Sequence, residues 1–65
     1  MRPYRCYFLD DHGAIRGVQV MVCADDRELA ELAPRLLASH PDHAGVEVWE
    51  RSRRVLLQTA EPRHA

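Results

Sequence analysis

The chain has 65 residues, of which nine are basic and ten acidic, and its formal net charge at pH 7 is −1. This length allows one domain, whose core is too small to stabilise it well without a metal, a disulfide or a partner subunit. The near-neutral charge argues against a general nucleic-acid or membrane-surface role, which requires a basic excess.

The first predicted element is a β-hairpin. Residues 4–9 are rich in aromatic side chains, and residues 10–13 have turn chemistry that ends in a glycine. Residues 15–22 form the second predicted strand, in which alternate valines fall on one face. Gly17 interrupts this strand and predicts a bulge, or a place where an aromatic ring lies across the backbone.

A helix is predicted over residues 26–39. Asp25 is its expected N-cap and Glu28 has the capping-box spacing. Pro34 lies inside the pattern and predicts a kink or a break into two short helices. Pro41 follows the expected end.

A second hairpin is predicted from residues 46–50 and 54–58, with Trp49 opposite Arg54. A four-residue loop over 50–53 is preferred, because Arg-Ser is a poor pair for a two-residue turn. The register also pairs Val48 with Val55, Val46 with Leu57 and Glu47 with Leu56.

The fold predicted from this order is an α+β domain, ββαββ, over residues 1–59, with a flexible tail over 60–65. We expect a four-stranded antiparallel sheet in the order 2-1-3-4 with the helix on one face, because antiparallel pairs are the commoner kind. The side chains predicted to face the helix are Cys6, Phe8, Val18, Val20, Val22, Val46, Val48, Val55 and Leu57.

The uncovered face of this sheet carries more large apolar side chains than an ordinary solvent face. We therefore predict a homodimer that pairs sheet on sheet. The alternative is scattered surface residues, with Trp49 covered by Arg54. The predicted interface residues are Tyr7, Leu9, Met21, Trp49 and Leu56.

Two weaker candidates are charged or polar clusters. Arg51, Arg53 and Arg54 at the tip of the second hairpin could bind phosphate or another anion, although the acids that open the helix could equally neutralise them. The weak metal candidates are His12, His40 and His43, with His64 in the tail, but their spacing matches no known ligand motif.

Cys6 and Cys23 are expected to be free thiols in a reducing cytoplasm, since no signal peptide or membrane-spanning run is evident. Cys23 near the helix N-terminus is a weak candidate for a reactive thiol. No catalytic motif is present, so we predict a non-enzymatic interaction module without a cofactor, with nucleic-acid binding as the alternative.

The run Tyr4-Arg5-Cys6-Tyr7-Phe8-Leu9-Asp10, the Asp-Asp helix start and the stretch Val46-Glu47-Val48-Trp49-Glu50 resemble short uncharacterised ββαββ proteins of alphaproteobacteria. The resemblance covers nearly the whole chain and implies a bacterial source and the same fold. It implies no chemistry. Pro34 and the Arg-Ser turn depart from that pattern.

Overall fold

The computed structural model describes residues 1–60 and contains the predicted ββαββ fold. The four strands form one antiparallel sheet in the order β2-β1-β3-β4, as predicted. The flexible tail predicted over 60–65 lies outside the described residues except for Ala60, whose backbone N–H donates to Ala44. The elements are β1 (Arg2–Leu9), β2 (Ile15–Cys23), α1 (Asp26–Ala38), β3 (Gly45–Glu50) and β4 (Arg53–Thr59).

The turn between β1 and β2 is held by Asp10. Its carboxylate accepts hydrogen bonds from the backbone N–H groups of His12 and Ala14 at 2.8 and 2.9 Å, and from Arg16 at 2.8 Å. These donors, the Ala14 N–H first, lower the pKa of Asp10 to about 2. Gly13 takes a φ of 79°, the left-handed conformation that glycine adopts without strain.

The helix α1 begins and ends close to the predicted residues. Asp25 caps it by accepting a hydrogen bond from the Glu28 N–H at 2.9 Å. Ser39 closes the last turn, where its N–H donates to Arg35 at 3.1 Å. The helix is continuous through Pro34, so the predicted break into two helices is wrong. At 13 residues it is not long and apolar enough to cross a membrane, and no other segment among residues 1–60 forms such a helix.

The second hairpin closes with a two-residue turn, so the predicted four-residue loop is wrong. Glu50 pairs with Arg53, and Arg51 between them takes a φ of 55°. This left-handed conformation is unfavourable for a side chain with a Cβ atom. The pairing of Trp49 with Arg54 is as predicted.

Each hairpin contains a bulge that inverts the side-chain pattern beyond it. Leu9 pairs with Ile15, but Phe8 pairs with Gly17, so Arg16 is an extra residue. Because successive side chains point to opposite faces, a shift of one residue exchanges the two faces for the rest of the strand.

The strand β4 contains a bulge of the same kind. Trp49 pairs with Arg54, whereas Val48 pairs with Leu56, so Val55 is the extra residue. Both Val55 and Leu56 pack against the core as a result. The predicted pairings of Val48 with Val55, Val46 with Leu57 and Glu47 with Leu56 are therefore wrong.

The core lies between the sheet and one side of α1. The aromatic ring of Phe8 reaches Gly17, where an added Cβ would lie 3.7 Å from the ring, as the glycine in this strand predicted. Most of the buried side chains come from β1, β3 and α1, and one comes from β2. They are Tyr4, Cys6, Phe8, Cys23, Leu29, Ala33, Leu37, Val46 and Val48.

Candidate interaction surface

The open face is the side of the sheet opposite the helix, and the bulges place more apolar side chains there than the sequence predicted. Cross-strand pairing sets its rows, because directly opposed residues share a face. One row runs across Val18, Tyr7, Glu47 and Leu57. The apolar side chains of the whole open face are Pro3, Tyr7, Leu9, Ile15, Val18, Val20, Val22, Trp49 and Leu57.

Several of these side chains are unusually exposed for their type. The exposed fractions are 59% for Ile15, Val18 and Val20, 56% for Val22 and 49% for Leu57. Isolated apolar residues are normal on a protein surface, but a contiguous patch marks a contact site. The β2 side chains form such a patch with Tyr7 and Leu9 beside them on β1, whereas Leu57 lies on the far edge strand, beyond Glu47.

A small polar group lies within this patch. The indole N–H of Trp49 donates to Glu47 at 2.7 Å, and Arg54 lies 3.5 Å from the other oxygen of Glu47. The carboxylate thus joins its two neighbours across β3 and β4. Because these polar atoms already have partners, covering this part of the open face would leave fewer of them unsatisfied.

The structure divides the predicted interface residues between the two faces. Tyr7, Leu9 and Trp49 lie on the open face as predicted. Met21 and Leu56 pack against the core instead, because each follows a bulge. Their predicted position on the open face is wrong.

The converse correction concerns residues that were predicted to face the helix. Val18, Val20 and Val22 in β2 and Leu57 in β4 lie on the open face. In the sequence, only their alternation with other residues marks them. It places the valines of one strand on a common face but does not show whether that face is covered by the helix. The bulges decided that. Gly17 signals the first bulge, which lies beside it at Arg16, whereas no residue type in the sequence marks the one at Val55.

The predicted arginine tip is occupied by ion pairs. Arg53 donates to both oxygens of Asp26 at 3.0 and 3.1 Å and to Glu50 at 2.7 Å. Arg54 pairs with Glu47 on the open face. Among residues 1–60, Arg51 has no carboxylate within 4.0 Å. The three arginines therefore do not converge on one anion site. Arg53 is instead neutralised by Asp26 at the start of the helix, which is the alternative stated for this tip.

These pairs belong to a larger network that fastens the start of α1 to the sheet. Arg2 forms a bidentate salt bridge with Glu50, with N–O distances of 2.6 and 2.5 Å, and lies 3.9 Å from Asp26. The hydroxyl of Tyr4 donates to Asp26 at 2.8 Å. Arg2 and then Arg53 lower the pKa of Glu50 to about 2. Burial, followed by the bond to Asp26, raises the pKa of Tyr4 to about 12.

The histidines at the helix exit act as packing residues. The ring of Phe8 lies 4.4 Å from that of His40 and 5.1 Å from that of His43, measured between centroids. A ring nitrogen of His40 lies 2.9 Å from the carbonyl oxygen of Leu36, within hydrogen-bond distance. His12 lies in the exposed β1–β2 turn.

No metal-holding group of three His, Cys, Asp or Glu side chains occurs within residues 1–60. His12, His40 and His43 are therefore not brought together as such a group, and His64 lies outside the described residues.

Both cysteines are free and fully buried. Burial raises the pKa of the Cys6 thiol to about 11. Burial, with the Glu28 carboxylate as a second cause, also raises the pKa of Cys23. Full burial and a raised pKa both disfavour a reactive thiolate, so the structure does not support the reactive-thiol hypothesis for Cys23.

Comparison of the chain with protein-family models, with curated protein sequences and with solved structures gave no match.

Proposed function

We propose that this protein is a non-enzymatic interaction module that acts as a homodimer, with the open faces of two copies packed against each other. The observation that carries the proposal is the group of half-exposed apolar side chains opposite the helix, with Val18, Val20 and Val22 along the outer strand β2. A single helix covers one side of the sheet, and the open face requires a second layer to bury it.

The size of the open face suits a second copy. Four strands at about 4.8 Å spacing and about 25 Å length give a face of about 500 Å². Two such faces bury about 1,000 Å² together, near the lower limit for a specific interface.

The charges on the open face are compatible with self-association. Glu47 is paired with Arg54, and Arg5 has a long side chain that can reach the rim of an interface while its stem packs. The whole chain carries a formal charge of only −1, so two copies repel each other weakly. A two-fold pairing uses the same patch on both copies.

A bacterial source and a reducing compartment complete the proposal. Two buried free thiols are compatible with a cytoplasm in which disulfides do not form. The resemblance to short alphaproteobacterial proteins supports the source. Anion or nucleic-acid binding through the arginine tip is less favoured, because Arg53 and Arg54 already pair with carboxylates.

The proposal is tested by analytical ultracentrifugation across a concentration series. A chain of 7.5 kDa is expected to sediment at twice that mass at high micromolar concentration. Val18→Lys on the open face should weaken the dimer at least about tenfold, since Tyr7 opposite it supplies no carboxylate and the buried charge would be unpaired. Ala30→Lys, at an exposed helix position, is the matched control and should leave the mass unchanged. A monomer at all concentrations contradicts the proposal.

A further inference from the structure

The open face is uneven across its four strands. The half formed by β1 and β2 is mostly apolar, and the four apolar side chains of β2 on this face are each between 56 and 59% exposed. The half formed by β3 and β4 contains the hydrogen-bonded group of Trp49, Glu47 and Arg54. A second copy that covers this face therefore has to match the apolar half with an apolar surface.

Cross-strand pairing arranges the side chains of this face in four rows. The two middle rows cross all four strands. The Arg5 row contains Val20, Arg5, Trp49 and Arg54, and the Tyr7 row contains Val18, Tyr7, Glu47 and Leu57. The outer rows begin with Val22 and Pro3 on one side, and with Ile15 and Leu9 on the other.

The apolar half favours one direction of the two-fold axis, which lies in the plane between the two sheets. An axis parallel to the strands that keeps the whole face covered would place β2 over β4 of the second copy. The valines would then lie over Arg54, Leu57 and Thr59. An axis across the strands places each strand over its own copy, so the valines of the two β2 strands pack against each other.

The charges on the face select where this axis crosses the strands. An axis through the Arg5 row would place Arg5 and Arg54 opposite their own copies, and an axis through the Tyr7 row would place Glu47 opposite its own copy. Like charges held together at an interface are unfavourable. An axis midway between the two rows avoids both contacts. It also centres the four rows, so that the whole face is covered.

We propose that the two-fold axis crosses the strands midway between these rows, so that Arg5 of each copy lies over the ring of Tyr7 of the other. The inference rests on the homodimer proposed above. Arg5 is exposed, and no carboxylate in the described part of the chain lies within 4.0 Å of it. A guanidinium over an aromatic ring forms a cation–π interaction that strengthens when water is excluded. The charge of Arg5 thus has a partner inside the interface and need not extend to the rim.

Thiol cross-linking tests the direction of the axis. Chains that carry Val18→Cys, Val20→Cys or Leu57→Cys are mixed in pairs with a short bis-maleimide, and mass spectrometry identifies the linked peptides. The Val18→Cys and Val20→Cys chains should link to each other at least about tenfold faster than the Val18→Cys and Leu57→Cys chains. The reason is that β2 and β4 lie three strand spacings apart, about 14 Å. Faster linking of Val18→Cys to Leu57→Cys would overturn the axis across the strands.

Substitutions at Arg5 and Tyr7 test the contact itself by sedimentation. Arg5→Gln and Tyr7→Leu should each weaken the dimer at least about threefold, whereas Tyr7→Phe keeps the ring and should have a smaller effect. In the Tyr7→Leu chain, Arg5→Gln should have little further effect, because the partner ring is already absent. Arg27→Gln, at an exposed position of α1, is the matched control and should leave the dissociation constant unchanged.

The outcomes separate this contact from the homodimer on which it rests. Urea unfolding of the dilute variants verifies that each one folds. A dimer that Arg5→Gln leaves unchanged or tightens, or that loses affinity additively in the double variant, overturns the Arg5–Tyr7 contact while the homodimer stands. A parent chain that is monomeric at all concentrations overturns the homodimer itself.

Discussion

The two faces of the sheet have similar apolar content but opposite environments. Cys6, Val46 and Val48 on the covered face are fully buried beneath α1, whereas Val18 and Val20 on the open face are each 59% exposed. Valine therefore occurs on both faces of this sheet, buried on one and exposed on the other. The comparison shows that hydrophobic alternation marks the existence of two faces, while the pairing register decides which one the helix covers.

A leucine-to-alanine substitution on each side of the sheet should separate the covered face from the open face most clearly. Leu29→Ala in the helix removes a fully buried side chain and should lower the free energy of unfolding by about 2–5 kcal/mol. Leu57→Ala on the open face should cost less than about 1 kcal/mol in dilute monomer. Urea unfolding followed by Trp49 fluorescence measures both. Equal losses would show that the open face is already packed within one chain.

Thiol reactivity should sharpen the comparison further. Cys6 and Cys23 are buried on the covered face, and burial raises the pKa of both thiols. Their alkylation in the native protein should be at least about a hundredfold slower than in urea, since it requires opening of the fold. A cysteine introduced on the open face by Val20→Cys should react at the rate of an exposed thiol. Mass spectrometry resolves the three sites, and rapid labelling of Cys23 contradicts its burial.

Acid should loosen the covered face by a smaller amount. The folded-state pKa values of Glu50 and Asp26 lie below their ordinary values, because arginines stabilise the charged forms. Their stabilisation is complete above about pH 5 and declines as the pH falls towards 2, when both carboxylates gain protons. The effect is modest, because these ion pairs are partly solvent-exposed.

The double variant Glu50→Gln, Asp26→Asn is the control for this prediction. Its unfolding midpoint in urea should vary less between pH 5 and pH 2.5 than that of the parent chain. An identical pH dependence in the two proteins would assign the acid response to other groups, with Asp10 the next candidate because its pKa is also about 2.

The smallest effect should come from the turn that closes the second hairpin. Arg51 has a φ of 55°, so Arg51→Gly should relieve backbone strain and raise the free energy of unfolding by up to about 1 kcal/mol. Ser52→Gly, at a neighbouring position without a positive φ, should instead be neutral or destabilising. Thermal melts compare the two. A destabilising Arg51→Gly would indicate that the arginine side chain contributes more than its backbone costs.

Much of the fold follows from local signals in the sequence. The cap at Asp25, the turn glycine at Gly13 and the aromatic contact at Gly17 each have a short-range cause and appear as predicted. The strand order follows from strand direction and the preference for antiparallel pairs. These signals do not depend on how distant strands align.

The candidate site could be predicted only in part, because it depends on register. Tyr7, Leu9 and Trp49 precede any bulge effect on their own strands and were placed on the correct face. Met21 and Leu56 follow an extra residue and were placed on the wrong one. Gly17 indicates the bulge in β2 but not how many residues shift, and nothing in the sequence indicates the bulge in β4, yet each reassigns most of its strand.

The position of β1 in the middle of the sheet has a consequence for the order of folding. β1 is made first, but its second neighbour is β3, and the pairs formed include Arg5 with Trp49 and Leu9 with Gly45. Such contacts close long loops and slow the search for the native state. The first hairpin can form early, whereas completion of the sheet waits for the far end of the chain. Stopped-flow refolding monitored at Trp49 should therefore show a phase of milliseconds or longer, well behind formation of the helix.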